Sequence, residues 1–311
     1  MENAIEINNL SKIYNLGQTK QKIALQDLNL TVPKGSIFGL LGPNGAGKST
    51  LINILAGIVI KTSGLVKIMD YDLDQKPKSA SYQIGIVPQE VVLDSFFSLF
   101  QALEFTAGYY GIRKDARKTT EILQNLSLWD KKEVLPRQLS GGMKRRFLIA
   151  KAMAHSPPIL VLDEPSAGVD LELRDQLWKY IKQLKQQGVT IIITTHYLAE
   201  AQELCDEIAF INHGKIVKQD LTQNLLNLDT KYLEVEFTQN IEKDLENKIN
   251  KEFGVNSYSF VVTSANKLRI ELGKDQSYNQ LLTKLEQLKV TIKNLQVTQT
   301  DLEDVFKKII N

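Results

Sequence analysis

The sequence predicts an α/β fold built round a phosphate-binding loop, followed by a smaller α+β domain. Three observations carry that prediction. First, Gly42-Pro43-Asn44-Gly45-Ala46-Gly47-Lys48-Ser49-Thr50 lies between an apolar run, Ile37 to Leu41, and a helical-looking segment from Leu51. Strand, glycine-rich loop, helix is the context in which G-x-x-x-x-G-K-[ST] cradles phosphate. Second, the continuous apolar runs Ile159 to Leu162 and Val189 to Ile193 have the composition of strands buried on both faces of a parallel sheet. Third, from about residue 229 the pattern becomes short strands and helical stripes in the order βαββαβ, then α.

The chain has 311 residues, about two domains' worth, with 43% hydrophobic and 24% charged residues, enough to bury a sizeable core. A formal net charge of +2 favours neither a polyanion partner nor an acidic tail. The single cysteine, Cys205, excludes an intrachain disulfide and fits a reducing compartment. The N-terminus lacks the basic and apolar regions of a signal peptide, and no apolar run approaches the ~18 residues of a membrane span. The expected place of work is therefore the aqueous side of any membrane.

Ile5 and Ile7, then Leu28, Leu30 and Val32, alternate with polar residues as half-buried strands do. Tyr14 is expected in the loop between these strands, where its ring offers a stacking face. Val66 to Ile68 and Ile84 to Val87 read as further strands, the second ending in Pro88-Gln89. From about 91 to 136 a mostly helical insertion is expected, with Leu99, Leu103, Phe105, Tyr109, Tyr110, Ile122, Leu123, Leu126 and Leu128 at helical spacing. The apolar stretch Val91 to Phe97 suits either core or a partner-facing patch, with core the default. Ile208 to Ile211, a turn at Asn212-His213-Gly214, and Lys215 to Val217 read as a closing hairpin.

Several residues carry candidate chemistry. The loop glycines let consecutive N–H groups point inward, and the helix start adds its positive end. Lys48 is placed for the outer phosphates and Ser49 for Mg²⁺. The amide of Gln89, just past a strand end, is placed for Mg²⁺ or an attacking water. Asp163-Glu164-Pro165 ends a buried strand, where ligands collect in α/β sheets. Asp163 there suits Mg²⁺ and Glu164 suits a base acting on water; two turn carboxylates are the bland alternative. His196 ends the next strand run, within reach of a γ-phosphate. Ser140, with Gly141-Gly142 behind it, is a good N-cap at a second anion-binding helix start. Lys144-Arg145-Arg146 reads as a solvated helix face, too short for a nucleic-acid patch.

Taken together, residues 5 to 220 resemble the ATP-binding cassette of an ABC transporter, in motif order and spacing. Gly42 to Thr50 resembles the Walker A loop, Gln89 the Q-loop glutamine, and Leu139 to Gly142 the signature motif. Ile159 to Glu164 resembles Walker B with its catalytic glutamate, Ser166 to Asp170 the D-loop, and His196 the switch histidine. Tyr14 falls where the family stacks adenine. Ser140 to Arg146 and Glu164 to Asp170 are similar to the ATPases of bacterial ABC-2 type exporters, including the YadG-like proteins; Ser166 stands where a threonine is usual.

The resemblance implies a P-loop NTPase core of ABC type, residues 1–228, with an antiparallel β subdomain and a helical subdomain. Residues 229–311 would add a small ferredoxin-like α+β domain. It also implies ATP and Mg²⁺ as cofactors, a head-to-tail homodimer in which Ser140-Gly141-Gly142 of one copy closes the other's ATP, and a separate integral membrane permease of ABC-2 type. The chain would then work at the cytoplasmic face of the plasma membrane, exporting a drug, lipid or glycan-like substrate. An ABC ATPase of nucleic-acid maintenance or translation is the competing class. Such variants carry coiled-coil insertions, cysteine pairs or two cassettes, and this sequence has one cassette and one cysteine. A regulatory module without turnover would not need Glu164 and His196.

Overall fold

The computed structural model describes residues 2–17, 20–90, 93, 96–166, 171–226, 231–250, 259–272, 278–287, 290–299 and 301–310. Outside them lie Val91, Val92, Asp94 and Ser95 of the apolar stretch, Ala167 to Asp170 of the D-loop region, the expected boundary at 228/229, and Phe253, Tyr258, Leu288 and Thr300. The chain divides into two compact units, residues 1–222 and 223–309.

In the first unit the order is β1 (Asn3–Tyr14), β2 (Lys22–Pro33), β3 (Ile37–Leu41), α1 (Lys48–Leu55), β4 (Ser63–Ile68), β5 (Tyr71–Asp72), α2 (Pro77–Tyr82) and β6 (Ile84–Val87). Then follow α3 (Leu99–Tyr109), α4 (Thr119–Asn125), α5 (Gly141–Met153), β7 (Ile159–Asp163), α6 (Leu171–Gln186), β8 (Thr190–Thr194), α7 (Leu198–Leu204), β9 (Glu207–Asn212) and β10 (Lys215–Leu221). A six-stranded sheet runs β10-β9-β3-β8-β7-β6, all parallel except β10. Every residue of β3, β7 and β8 is buried, which is why these segments read as unbroken apolar runs. Because the strands are parallel, Leu41, Val87, Asp163 and Thr194 all end at one edge. An antiparallel sheet, β2-β1-β4-β5, shares the core with it through Ile5, Ile7, Leu10 and Leu25.

Three expectations are corrected here. Tyr14 is the last residue of β1, paired with Lys22, and not a loop residue: both strands run on past their alternating apolar residues. The insertion is helical as α3, α4 and three single 3₁₀ turns, and on α3 Phe105 and Tyr109 are 59% and 86% exposed. Phe96 likewise is 86% exposed, so this part of the apolar stretch is not core. Arg145 and Arg146 are each 4% exposed and not solvated. Both sit on α5 faces shared with apolar residues three and four positions on, such as Leu148, Ile149 and Ala150.

In the second unit, α8 (Thr222–Leu226) leads to β11 (Lys231–Phe237), α9 (Lys243–Ile249), β12 (Phe260–Ser264), β13 (Lys267–Leu272), α10 (Tyr278–Gln287), β14 (Ile292–Gln299) and α11 (Leu302–Ile310). The sheet order is β12-β13-β11-β14, antiparallel throughout. Leu233, Val235 and Phe237 face Leu245, Ile249, Leu281 and Leu285 in a core of their own. The register of β14 shifts between Asn294 and Ile292, opposite Glu236 and Phe237, and that shift is the phase break in its apolar pattern. The Asp301 carboxylate accepts the Asp304 N–H at 2.9 Å, capping α11 one residue after the expected Thr300.

Candidate functional site

β3 delivers the chain into the loop at Gly42, where a β-carbon would collide with the Ile211 carbonyl of the neighbouring β9. Gly47 has φ 115, a conformation open to glycine, and immediately precedes α1. The turn leaves Lys48 at the mouth of the loop, its ammonium donating to the carbonyls of Gly42 (2.6 Å) and Pro43 (3.1 Å). Burial holds the Lys48 amine below the usual lysine range, while Glu164 and Asp163 pull it back up. A cleft of about 170 Å³ is lined by Tyr14, Asn44, Gly45, Gly47, Lys48, Ser49, Thr50, Gln89, Asp163 and Glu164. Lys22, Ile23 and Ala24 complete its wall, and no sequence pattern marked these three. The Lys12 ammonium lies 4.7 Å from the Tyr14 ring centroid.

The ends of β6, β7 and β8 bring the remaining candidates together. Glu164 has φ 51, in the left-handed region that few residues other than glycine adopt. The Glu164 Oε2 accepts from Gln89 Nε2 at 3.0 Å, and Oε1 lies 3.1 Å from His196 Nδ1. Its own N–H donates to the Thr194 carbonyl at 3.0 Å and to Thr194 Oγ1 at 3.2 Å. The same hydroxyl donates to Asp163 Oδ1. Thr194 thus fixes both carboxylate-bearing residues, and the sequence reading missed it. Glu200, also missed and 4% exposed, accepts from Ser166 Oγ (2.5 Å) and Thr195 Oγ1 (3.3 Å). It joins the segment after Glu164 to the one before His196.

Ser140, Gly141 and Gly142 do not line this cleft. Ser140 caps α5, its hydroxyl accepting the Met143 N–H at 3.3 Å, so the second anion-binding helix start is present but serves no nucleotide bound in the chain's own cleft. The Arg145 guanidinium reaches from α5 to the backbone on either side: Nη1 donates to the carbonyls of Pro88 (2.9 Å) and Gln89 (2.7 Å), Nη2 to those of Asp163 and Glu164. Its sequence signal was available: a cation sharing a helix face with Leu148 and Ile149.

Residues 25–167 match the family model for ABC transporter. The linearmycin resistance ATP-binding protein LnrL of Bacillus subtilis is 35% identical over 227 residues, 71% of each chain. This chain belongs to the ATP-binding subunits of ABC transporters. The daunorubicin/doxorubicin resistance ATP-binding protein DrrA of Streptomyces peucetius is 31% identical over 97% of this chain and 91% of its own, so that similarity extends through the second unit. A Nod factor export ATP-binding protein I, from Cupriavidus metallidurans, is 32% identical over 72% of this chain and 73% of its own. Among solved structures, an ATP-binding subunit of an ABC transporter superposes with a TM-score of 0.65 at 28% identity, over 71% of this chain and 91% of the other. A dimeric ATP-binding cassette in a post-hydrolysis state, bound to ADP and Pi, gives 0.64 at 25% identity over 70% and 98%. The ABC ATPase thus has the P-loop fold with its mixed sheets, and it binds and hydrolyses ATP. Among the described residues no helix is long and apolar enough to cross a membrane.

Proposed function

We propose that this ABC ATPase turns over Mg-ATP between two copies of itself, with Glu164 as the base. The supporting observation is the placement of Glu164 beside the Lys48 loop, its carboxylate held between Gln89 and His196. The loop amides from Gly42 to Thr50 and the Lys48 ammonium bind the phosphates, and Tyr14 stacks the base. Ser49, Asp163 and Gln89 suit Mg²⁺. The described residues hold no cluster of three ligating side chains, and Mg²⁺ in phosphoryl transfer needs only one or two protein oxygens beside phosphate and water. The Gln89 amide spends its N–H on Glu164 and keeps its oxygen for the ion. Bound there, the ion would neutralise phosphate charge. Glu164 takes the proton from the attacking water, and His196 and Lys48 balance the charge that develops on the phosphoryl oxygens. Ser140, Gly141 and Gly142, outside the chain's own cleft, close the partner copy's nucleotide.

The transport reading places the chain on the cytoplasmic face of the membrane, docked on a permease of ABC-2 type. A cavity of about 1180 Å³ between the sheet edge at Ile84–Pro88 and the helical segment is rimmed by Phe105 and Tyr109, exposed aromatics suited to an inserted permease helix. Relatives named for drug resistance and Nod factor export favour efflux of an amphipathic drug, lipid or glycan. The order β14-β11-β13-β12, with helices between strands, supports a ferredoxin-like second domain that adjusts dimer assembly or turnover. One experiment tests the site. Lys48→Ala should abolish most ATP binding; Glu164→Gln should leave binding intact, remove hydrolysis and accumulate an ATP-bound dimer on sizing. Binding within twofold of wild type in the first variant, or undiminished hydrolysis in the second, contradicts the assignment.

A further inference from the structure

We propose that Arg145 is a positioning residue for hydrolysis: its guanidinium clamps the Gln89 loop to the Glu164 turn and ties both to helix α5. The inference rests on Glu164 being the base. Among the described residues Arg145 makes four donations, all to backbone carbonyls, two at Pro88-Gln89 and two at Asp163-Glu164. These are the two segments whose side chains meet at 3.0 Å, Gln89 Nε2 on Glu164 Oε2. Glu164 needs such support. A non-glycine residue at φ 51 is strained and persists only where its surroundings over-determine it. Thr194 holds its N–H side and Arg145 its carbonyl side, which fixes the backbone from which the carboxylate reaches Gln89 and His196.

The chemistry selects arginine. A planar fork serves two pairs of acceptors at once, whereas an ammonium is a point donor. A charge only 4% exposed is a poor stabilising device in itself, because its desolvation offsets most of what it gains. Burial holds the guanidinium's pKa below its usual range, and the carboxylates of Asp163 and Glu164 offset only part of that. Arg145 also stands in the second turn of the helix that Ser140 caps and Gly141-Gly142 begins. When that helix start engages the partner copy's nucleotide, a shift of α5 carries the Gln89 and Glu164 backbones with it. The contact a copy makes across the dimer is thereby conveyed to its own base.

The test uses the full chain with R145Q, R145K and E164Q, measuring ATP affinity, steady-state kcat and KM, and thermal melting. R145Q should bind ATP within about threefold of wild type and lose kcat on the order of 10–100-fold, as expected for a misplaced catalytic group. R145K, keeping the charge but losing the fork, should fall between. Turnover of R145Q/E164Q should equal that of E164Q alone, since both changes act through one carboxylate. A kcat for R145Q within threefold of wild type, a parallel loss of ATP binding, or additive losses in the double variant each overturn the proposal. If R145Q does not fold, R145K decides by the same criteria. Full turnover in E164Q overturns the base on which the inference rests. Loss there with R145Q intact overturns Arg145 alone.

Discussion

His155 shows how one buried side chain sets an acid limit on the fold. It stacks on Tyr110 at 3.8 Å with the rings 8° from parallel, and it is 8% exposed. Burial lowers its pKa from 6.5 to about 4, against a weaker opposing pull from the Ile84 backbone. The folded value lies below the unfolded one, so between them only the unfolded chain binds the proton. The contribution is therefore complete above pH 6.5 and is lost as pH falls toward 4. Denaturant titrations from pH 7 to 4 should show wild type losing up to about 3 kcal/mol more than His155→Phe, which keeps the stack and cannot be protonated. Equal slopes would mean the imidazole is protonated in the native state. Lys48, Ser49, Asp163, Glu164 and His196 were legible in the sequence because each is tied to a loop or strand end that a short pattern marks. Arg145 was legible only as a cation on an apolar helix face, and the contacts of Arg145 and Thr194 were not legible at all. Their partners are backbone groups and carboxyls at separations from 18 to 57 residues, and a backbone carbonyl has no letter in the sequence.

Strands β3, β7 and β8 were readable as elements because burial on both faces leaves their central residues, such as Ile159 to Leu162 and Ile191 to Ile193, entirely apolar. Helix α3 was readable as a helix, but not for which of its faces is buried. Periodicity says which residues share a face; it is silent on whether a neighbour covers that face. Leu99, Leu103 and Ala107 pack inward, while Phe105, 4.6 Å from Phe97 between ring centroids, rims the large cavity. Phe105→Asp should therefore change stability by no more than about 0.5 kcal/mol and basal hydrolysis by less than twofold. In membranes containing the permease the same variant should lose coupled turnover. Unchanged coupling would move the docking surface away from α3.

The second unit has its own core and sheet, and similarity to DrrA runs through it. A chain ending after Leu228 should stay folded and bind ATP with unchanged affinity, with altered turnover or permease coupling. Loss of ATP binding in a folded truncation would make the second unit part of the site, and unchanged turnover and coupling would make it a passive cap. The first unit contains one more property of the whole molecule. Cys205, the sole cysteine, lies under β3, where a β-carbon on Gly39 would sit 3.0 Å from its sulfur. Burial and, to a lesser degree, Asp206 raise its pKa far above the usual thiol range. A maleimide finds no thiolate on the native protein, so alkylation proceeds only as fast as the β3–β9 region opens. The unmodified chain thus carries a built-in chemical clock, with Cys205 timing the opening of the sheet beneath the phosphate loop.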